Sequence, residues 1–343
     1  MQKQITLTSD NTAVMKAYSL TTRLLIVALF FFVSCSPYVE IVKVDVLNPS
    51  TSTFSFVGKD VAIVGNLYEI GNGEYLYDST LVAAATLGIK ETLEQSPVFE
   101  GYEIPIYYTY SSDTALVGKP ITKEDVEEMS SDMGVDMFIS VDYIDILGKA
   151  ARSHNDTIDL EHLMMYAGLF RVYEAGNEKP YSPYYIRNET PETVIIYNDK
   201  ELPILSTTRE AGISLAYRLG DNYAMFIAPY WETVERVYYV YPDDEYGSIK
   251  LGDRYVQQGS WAKAMEAWSK TITSSTKKMQ VAMAAFNMAV GCEMIGNLEL
   301  AKEWLGYCQK QQQSKINPAP YMQTIIARIQ DKYVLDKKLQ VAE

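Results

Sequence analysis

A set of apolar and small residues between Leu251 and Trp268 returns 37 positions further on, and this recurrence narrows what the carboxyl-terminal third of the chain can fold into. The first copy is Leu251, Gly252, Tyr255, Gly259, Trp261, Ala264 and Trp268; the second is Met288, Ala289, Gly296, Leu298, Ala301 and Leu305. A repeat of that length is one supersecondary unit that cannot bury its apolar face alone and must stack on a neighbour. Gly252 with Ala264, and Ala289 with Ala301, are small enough for two helices to approach closely, so each copy is predicted to be a helical pair. Pro318 and Pro320 restart a helix in which Ile325, Ile326 and Ile329 cap the open end, as a terminal element of a stack must.

The pattern resembles that of tetratricopeptide repeats, whose usual period of about 34 residues puts three extra residues here around Thr273 to Lys278. The resemblance implies two repeats over residues 246–311 and a capping helix and tail over 318–343. It also implies a groove lined by the first helix of each pair, through Ile249, Lys250, Asp253, Val256, Asn287, Val290 and Met294, and hence a protein partner at the helical repeats.

The amino end reads as a targeting segment. Lys16 and Arg23 precede the unbroken apolar run from Leu24 to Val33, followed by Ser34, Cys35 and Ser36. Ten apolar residues are half of the roughly 20 that a helical membrane span needs. Phe32-Val33-Ser34-Cys35 resembles the lipobox of bacterial lipoproteins, which implies a signal peptide over residues 1–34, with Met15 as the true start, and lipidation of Cys35. Three lipid chains hold a protein durably on a membrane, where one acyl chain alone is marginal. No Asp follows Cys35 and no acidic run does, so the expected place is the outer membrane, facing the periplasm. The whole chain carries a formal charge of -14; loss of Lys3, Lys16, Arg23 and Asp10 with the signal peptide takes it to -16. Such a surface repels phosphate backbones and excludes a nucleic-acid partner.

Between these ends the periodicity is mixed. Val39 to Leu47 alternates as a strand, and Asp60 to Leu67 reads as a buried one. A helix follows, capped by Asp78 or Ser79, with Leu81, Ala85, Ile89 and Leu93 on one face. Ile104 to Tyr110 is the next strand. Thr122 and Asp125 form a capping box for a helix that turns Val126, Met129 and Met133 inward and stops at Gly134. Strands over Val135 to Ile146, Thr157 to Glu174, Val194 to Tyr197 and Val234 to Tyr241, with a helix over Ser206 to Leu219, complete the series. The expected fold class is α+β: a sandwich-like α/β domain, then all-α helical repeats. KDVAIVGNL, DVEEMSSDMGVDMFISVDYI, TIDLEHLMMYAGLFRVYEAGNEKP and TTREAGISLAYRL resemble the periplasmic α/β domain shared by the amino-terminal part of TolB and the curli-secretion lipoprotein CsgG. That resemblance implies an α/β domain over 35–241 on an N-terminal lipid tether. With PYWETVERVYYVYP included, the chain resembles a lipoprotein family of Bacteroides-like bacteria to which no activity is assigned. Pro242-Asp243-Asp244-Glu245 is a turn-rich acidic joint.

No motif in the chain supplies a catalytic residue, a cofactor or a metal site. His154 and His162 lie among Asp156, Asp159 and Glu161, but on a strand they stand about 26 Å apart at about 3.3 Å per residue, so a solvated hairpin is the expectation. Gly65, Gly71 and Gly73 have the spacing of neither phosphate-loop signature, and Ser214 lacks the second glycine of a nucleophile elbow. Thr114 and Thr157 sit in Asp-Thr-apolar triplets that resemble O-glycosylation sites of exported Bacteroides-type proteins. Among the 27 tyrosines, runs such as Tyr184-Tyr185 and Tyr238-Tyr239-Val240-Tyr241 alternate as strands do, so half of each run belongs to the core. Cys292 and Cys308 are expected as separate buried thiols, offset by about 10 Å along a helical hairpin where a disulfide tolerates about 7 Å. The function this supports is a lipid-anchored, non-catalytic interaction or assembly scaffold. The rival is a glycan- or small-ligand-binding module, or enzyme, that uses a polar pocket at the strand ends around the loop 65–78.

Overall fold

Val61, Ala62, Ile63 and Val64 are consecutive and all fully buried. A strand achieves that only when both its faces are covered. In the computed structural model, which describes residues 38–71, 74–76, 78–152, 160–192, 195–197, 203–205, 208–241 and 247–339, this strand is the second of the chain. It is β2 (Val61–Gly71), preceded by β1 (Tyr38–Asn48) and followed by β3 (Glu74–Tyr75), β4 (Ile106–Ser111), β5 (Met137–Arg152), β6 (Leu160–Glu174) and β7 (Tyr181–Glu192). The pairs β2–β4 and β2–β5 are parallel, whereas β5–β6 and β6–β7 are antiparallel, and β3 folds back on the end of β2. Short strands β8 (Ile195–Tyr197) and β9 (Pro203–Leu205) pair with each other, and β10 (Tyr230–Val240) pairs with β1.

Helices cover both faces of the parallel strands. Helix α1 (Ser79–Glu94) opens at Asp78, whose carboxylate accepts the Thr80 N–H, and buries Leu81, Ala85, Ile89 and Leu93. It shares a core with Ile63, Ile139, Phe170 and the inner face of α3 (Thr208–Ile227). Helix α2 (Lys123–Met133) begins at the Thr122–Asp125 box, ends at Gly134 and buries Val126 against Ala62, Val64, Phe138 and Tyr173 on the opposite face. Helix α3 runs eight residues beyond the expected stop at Leu219. Gly220 is no terminator: a methyl there would collide with the Ala85 carbonyl, and one at Gly88 with that of Tyr217, so the two glycines bring α1 and α3 into backbone contact.

The chain divides into two units. One holds Lys43–Val234 with Ala327–Glu343; the other holds Glu235–Ile326 with the chain up to Val42. Two elements are divided between the units by their contacts. The strand residues 235–241 belong with the helical unit, and the end of the last helix belongs with the α/β unit, where Lys338 donates to the Ser50 and Ser52 carbonyls at 2.6 and 2.7 Å. The helical unit is built from α4 (Gly247–Gln257), α5 (Trp261–Ser274), α6 (Lys278–Met294), α7 (Leu298–Lys310) and the first turns of α8 (Ala319–Leu339). Gly259 and Gly296, 37 positions apart, both turn with positive φ at the joints after α4 and α6. Gly252 lies so close to the Trp268 indole that no side chain fits between them. The fold class is thus mixed α+β, with helices concentrated in the carboxyl-terminal half.

Strand β1 begins at Tyr38, one residue before the expected start at Val39. Cys35 and the signal peptide lie outside the described residues, as do Gly73, His154, Thr157 and the joint 242–246. Among the described residues no helix is long and apolar enough to cross a membrane.

Candidate functional site

The expected partner groove is not open. Ile249, Asn287 and Val290 are fully buried, and Lys250, Asp253, Val256 and Met294 are half-buried. The occupant is the chain's own strand β10. The Asn287 carboxamide accepts the Tyr239 N–H and donates to the Tyr239 carbonyl, both at 2.7 Å, which is how a side chain grips a peptide backbone in place of a neighbouring strand. Tyr238 donates to Asp253 at 2.8 Å, and burial, then this hydrogen bond, raises the Tyr238 phenol's pKa above its ordinary value. Arg236 makes a forked contact with both carboxylate oxygens of the wholly buried Glu293, which also accepts from Tyr321. Because β10 lies in the groove, Tyr238 and Tyr239 are both buried, against the expectation of one core tyrosine in two. Helix α6 is buried on every side from Gln280 to Glu293, with α5 and α7 packed along it as well. The periodicity of α4 and α6 marks their inward faces, and nothing local announces that a strand whose tyrosines lie 15 residues before Asp253 and 48 before Asn287 fills the space between them.

A cleft of about 510 Å³ does lie open at the carboxyl ends of β2 and β4. Its walls are Asn66 to Tyr68 of β2, Thr109 to Ser111 of β4, Leu116 with Lys119 to Thr122, and the exposed Asp125, Glu128 and Asp132 of α2 beside the half-buried Met129. Beneath it runs a hydrogen-bonded chain of polar side chains. Thr109 donates to Asn66 Oδ1 at 2.6 Å, while Asn66 Nδ2 donates to Ser140 at 2.9 Å and to Asp142 at 3.3 Å. Ser140 donates to the same Asp142 oxygen at 2.6 Å, and Asp142 pairs with Arg171. The side chains of that pair are 2% and 7% exposed. Arg171 goes on to the Gly118 carbonyl at 2.7 Å and that of Lys119 at 3.4 Å, and the Tyr173 hydroxyl accepts the Ile121 N–H at 3.1 Å. Burial raises the pKa of the Tyr173 phenol. Strand β6 therefore holds the far wall of the cleft through two side chains on one face, two positions apart.

The charge of the cleft limits its contents. Three carboxylates, Asp125, Glu128 and Asp132, oppose one ammonium, Lys119. The amino end of α2 adds the equivalent of only about half a positive charge, so an anion is disfavoured. Neutral hydroxyl-bearing groups suit the lining, because carboxylates, Asn66, Thr109 and Ser111 all accept hydrogen bonds and Tyr110 offers an exposed aromatic face. The cleft lay partly within reach of sequence reasoning: Asn66, Ser140, Asp142 and Arg171 are polar residues inside otherwise apolar strands, which marks a face that is not ordinary core.

The remaining expected positions are placed singly. Thr114 is exposed in a 3-10 turn capped by Asp113. Gly65 lies within β2, where a side chain would strike Tyr108 and Val82, so it serves close packing. Cys292 and Cys308 are free and buried.

The model of a family described as Domain of unknown function (DUF8603) matches residues 42–239, and that of Domain of unknown function (DUF6340) matches residues 250–335. No curated protein matches the chain. Among solved structures, the hypothetical protein CT253 from Chlamydia trachomatis is similar at 13% identity, over 38% of this chain and 72% of that one, with a TM-score of 0.20. An overlap that low carries no argument.

Proposed function

The chain belongs to the family described as Domain of unknown function (DUF8603), and from that premise we propose that it is a lipid-anchored protein of the bacterial envelope that binds a neutral, hydroxyl-rich ligand of about disaccharide size in the cleft of its α/β unit. The observation that carries the reading is the cleft at the strand ends, of a volume usual for small-ligand sites. Its far wall is fixed by the Arg171 and Tyr173 contacts, so the ligand meets a surface already formed. The assignment is one of binding and includes no catalytic step. We read the helical unit as two pairs of tetratricopeptide type and the α/β unit as related in pattern to TolB and CsgG; the Gly252–Trp268 approach and the paired turns at Gly259 and Gly296 support the first. Cys35 carries the lipid in this reading, facing the periplasm from the outer membrane. An assembly scaffold is the second reading. Its one favouring observation is the exposed face of β5, β6 and β7 around Leu147, Met165 and Tyr185, edged by Asp145 and Arg187.

Thermal unfolding of the mature chain, titrated with neutral mono- and disaccharides, with spermidine and with ATP, tests the proposal. A ligand at a hundredfold excess over its Kd stabilises by about 2.7 kcal/mol. At least one saccharide should raise the unfolding temperature, ATP should not, and Tyr110→Ala should abolish the shift while leaving the unliganded midpoint in place. Stabilisation by ATP, stabilisation by spermidine with no saccharide effect, or a saccharide effect indifferent to Tyr110 contradicts it.

A further inference from the structure

We infer that the beginning of β1 rests in the lipid interface, with Val39 and Ile41 entering the bilayer surface and Tyr38 at headgroup level. The inference rests on the lipidation of Cys35 proposed above. Only Ser36 and Pro37 separate Cys35 from the first residue of β1. Three steps of at most about 3.6 Å each put the Tyr38 backbone within about 11 Å of the acylated residue. The headgroup layer on each side of the hydrocarbon is itself some 5 to 8 Å deep, so the strand starts in that layer or at its edge.

The side chains there suit it. Tyr38 is 64% exposed, Val39 48% and Ile41 61%, and Val237 on the paired strand is 42% exposed. Exposed apolar groups this close together leave water favourably when an apolar phase is at hand. Tyrosine, apolar in its ring and polar at its tip, is enriched where one end of a side chain is dry and the other wet. Val39 and Ile41 share one face of the strand, and Tyr38 and Glu40 share the other. That division leaves the Glu40 carboxylate among the headgroups, out of the hydrocarbon. The short covalent reach to the anchor selects a lipid surface over a second copy of the chain as the occupant.

The test uses acylated full-length protein reconstituted in phosphatidylethanolamine–phosphatidylglycerol vesicles. A nitroxide is placed at Ile41→Cys, and another at Tyr307→Cys of α7 as the reference. The native thiols Cys292 and Cys308 are buried and spared in the folded protein. Power-saturation spectra should show the label at 41 accessible to oxygen and shielded from a water-soluble nickel chelate, with the label at 307 open to both. Equal nickel access at both sites, on protein whose mass includes the lipid, overturns the inference and leaves lipidation standing. A mature protein without the lipid mass removes the reading on which the inference rests. Shielding at 41 that persists in vesicle-free Cys35→Ala protein also overturns it, because another protein surface then covers β1.

Discussion

At the scale of single residues, the Asp142–Arg171 pair holds the site, and its two members are costly to separate. Removing one partner of a buried ion pair leaves the other charged and uncompensated, a loss of about 3–5 kcal/mol, whereas replacing both by apolar groups is often close to neutral. Asp142→Ala should therefore destabilise by that amount in urea unfolding at neutral pH, and the double variant Asp142→Leu with Arg171→Met should lose less. A double variant as unstable as the single one would show that the stabilisation comes from the Gly118 and Lys119 contacts instead. The buried thiols give a second expectation. Burial pushes Cys292 up to about 11 and Cys308 up to about 12. A group with a raised folded pKa contributes fully below its unfolded value, near 8.5 for a thiol, and its contribution disappears as pH rises through the folded value. Stability should fall progressively above about pH 9, and less steeply in the Cys292→Ala, Cys308→Ala variant; identical alkaline limbs would contradict the assignment.

Elements show where sequence patterns hold and where long-range packing overrides them. The Thr122–Asp125 box and the Leu81, Ala85, Ile89, Leu93 stripe are local devices, and they stand where the spacing puts them. Strand β7 was hidden by Pro183 and Pro191, which disfavour a central strand but are tolerated at the edge position β7 occupies. The continuation of α3 past Gly220 was illegible because its cause lies in α1, more than 120 residues away in sequence. Gly220→Ala decides between the two accounts of that helix. Helix propensity alone predicts a gain of about 1 kcal/mol; the backbone approach to Ala85 predicts a loss of at least about 1–3 kcal/mol, read as a lower unfolding midpoint. The filled groove has its own test in Asn287→Leu, which keeps the volume and removes the carboxamide. Amide exchange at residues 236–241 should then accelerate at least tenfold, the rate equivalent of about 1.4 kcal/mol of lost local stability. Unchanged exchange would mean that β10 does not depend on α6.

For the whole molecule, the proposed ligand site lies in the α/β unit, and a strand of the same chain fills the helical unit's groove. The acidic balance of -14 agrees with the cleft in disfavouring anions, and α8 and β10 each contribute residues to both units. Hydrogen exchange of the mature full-length chain, with and without a saturating concentration of the saccharide that most raises its unfolding temperature, separates the two candidate surfaces in one experiment. Exchange should slow at residues 66–68, 109–111 and 118–122 and stay unchanged at residues 249–256 and 287–294. Slowing confined to those helical segments, or no change at the cleft under saturation, would contradict it.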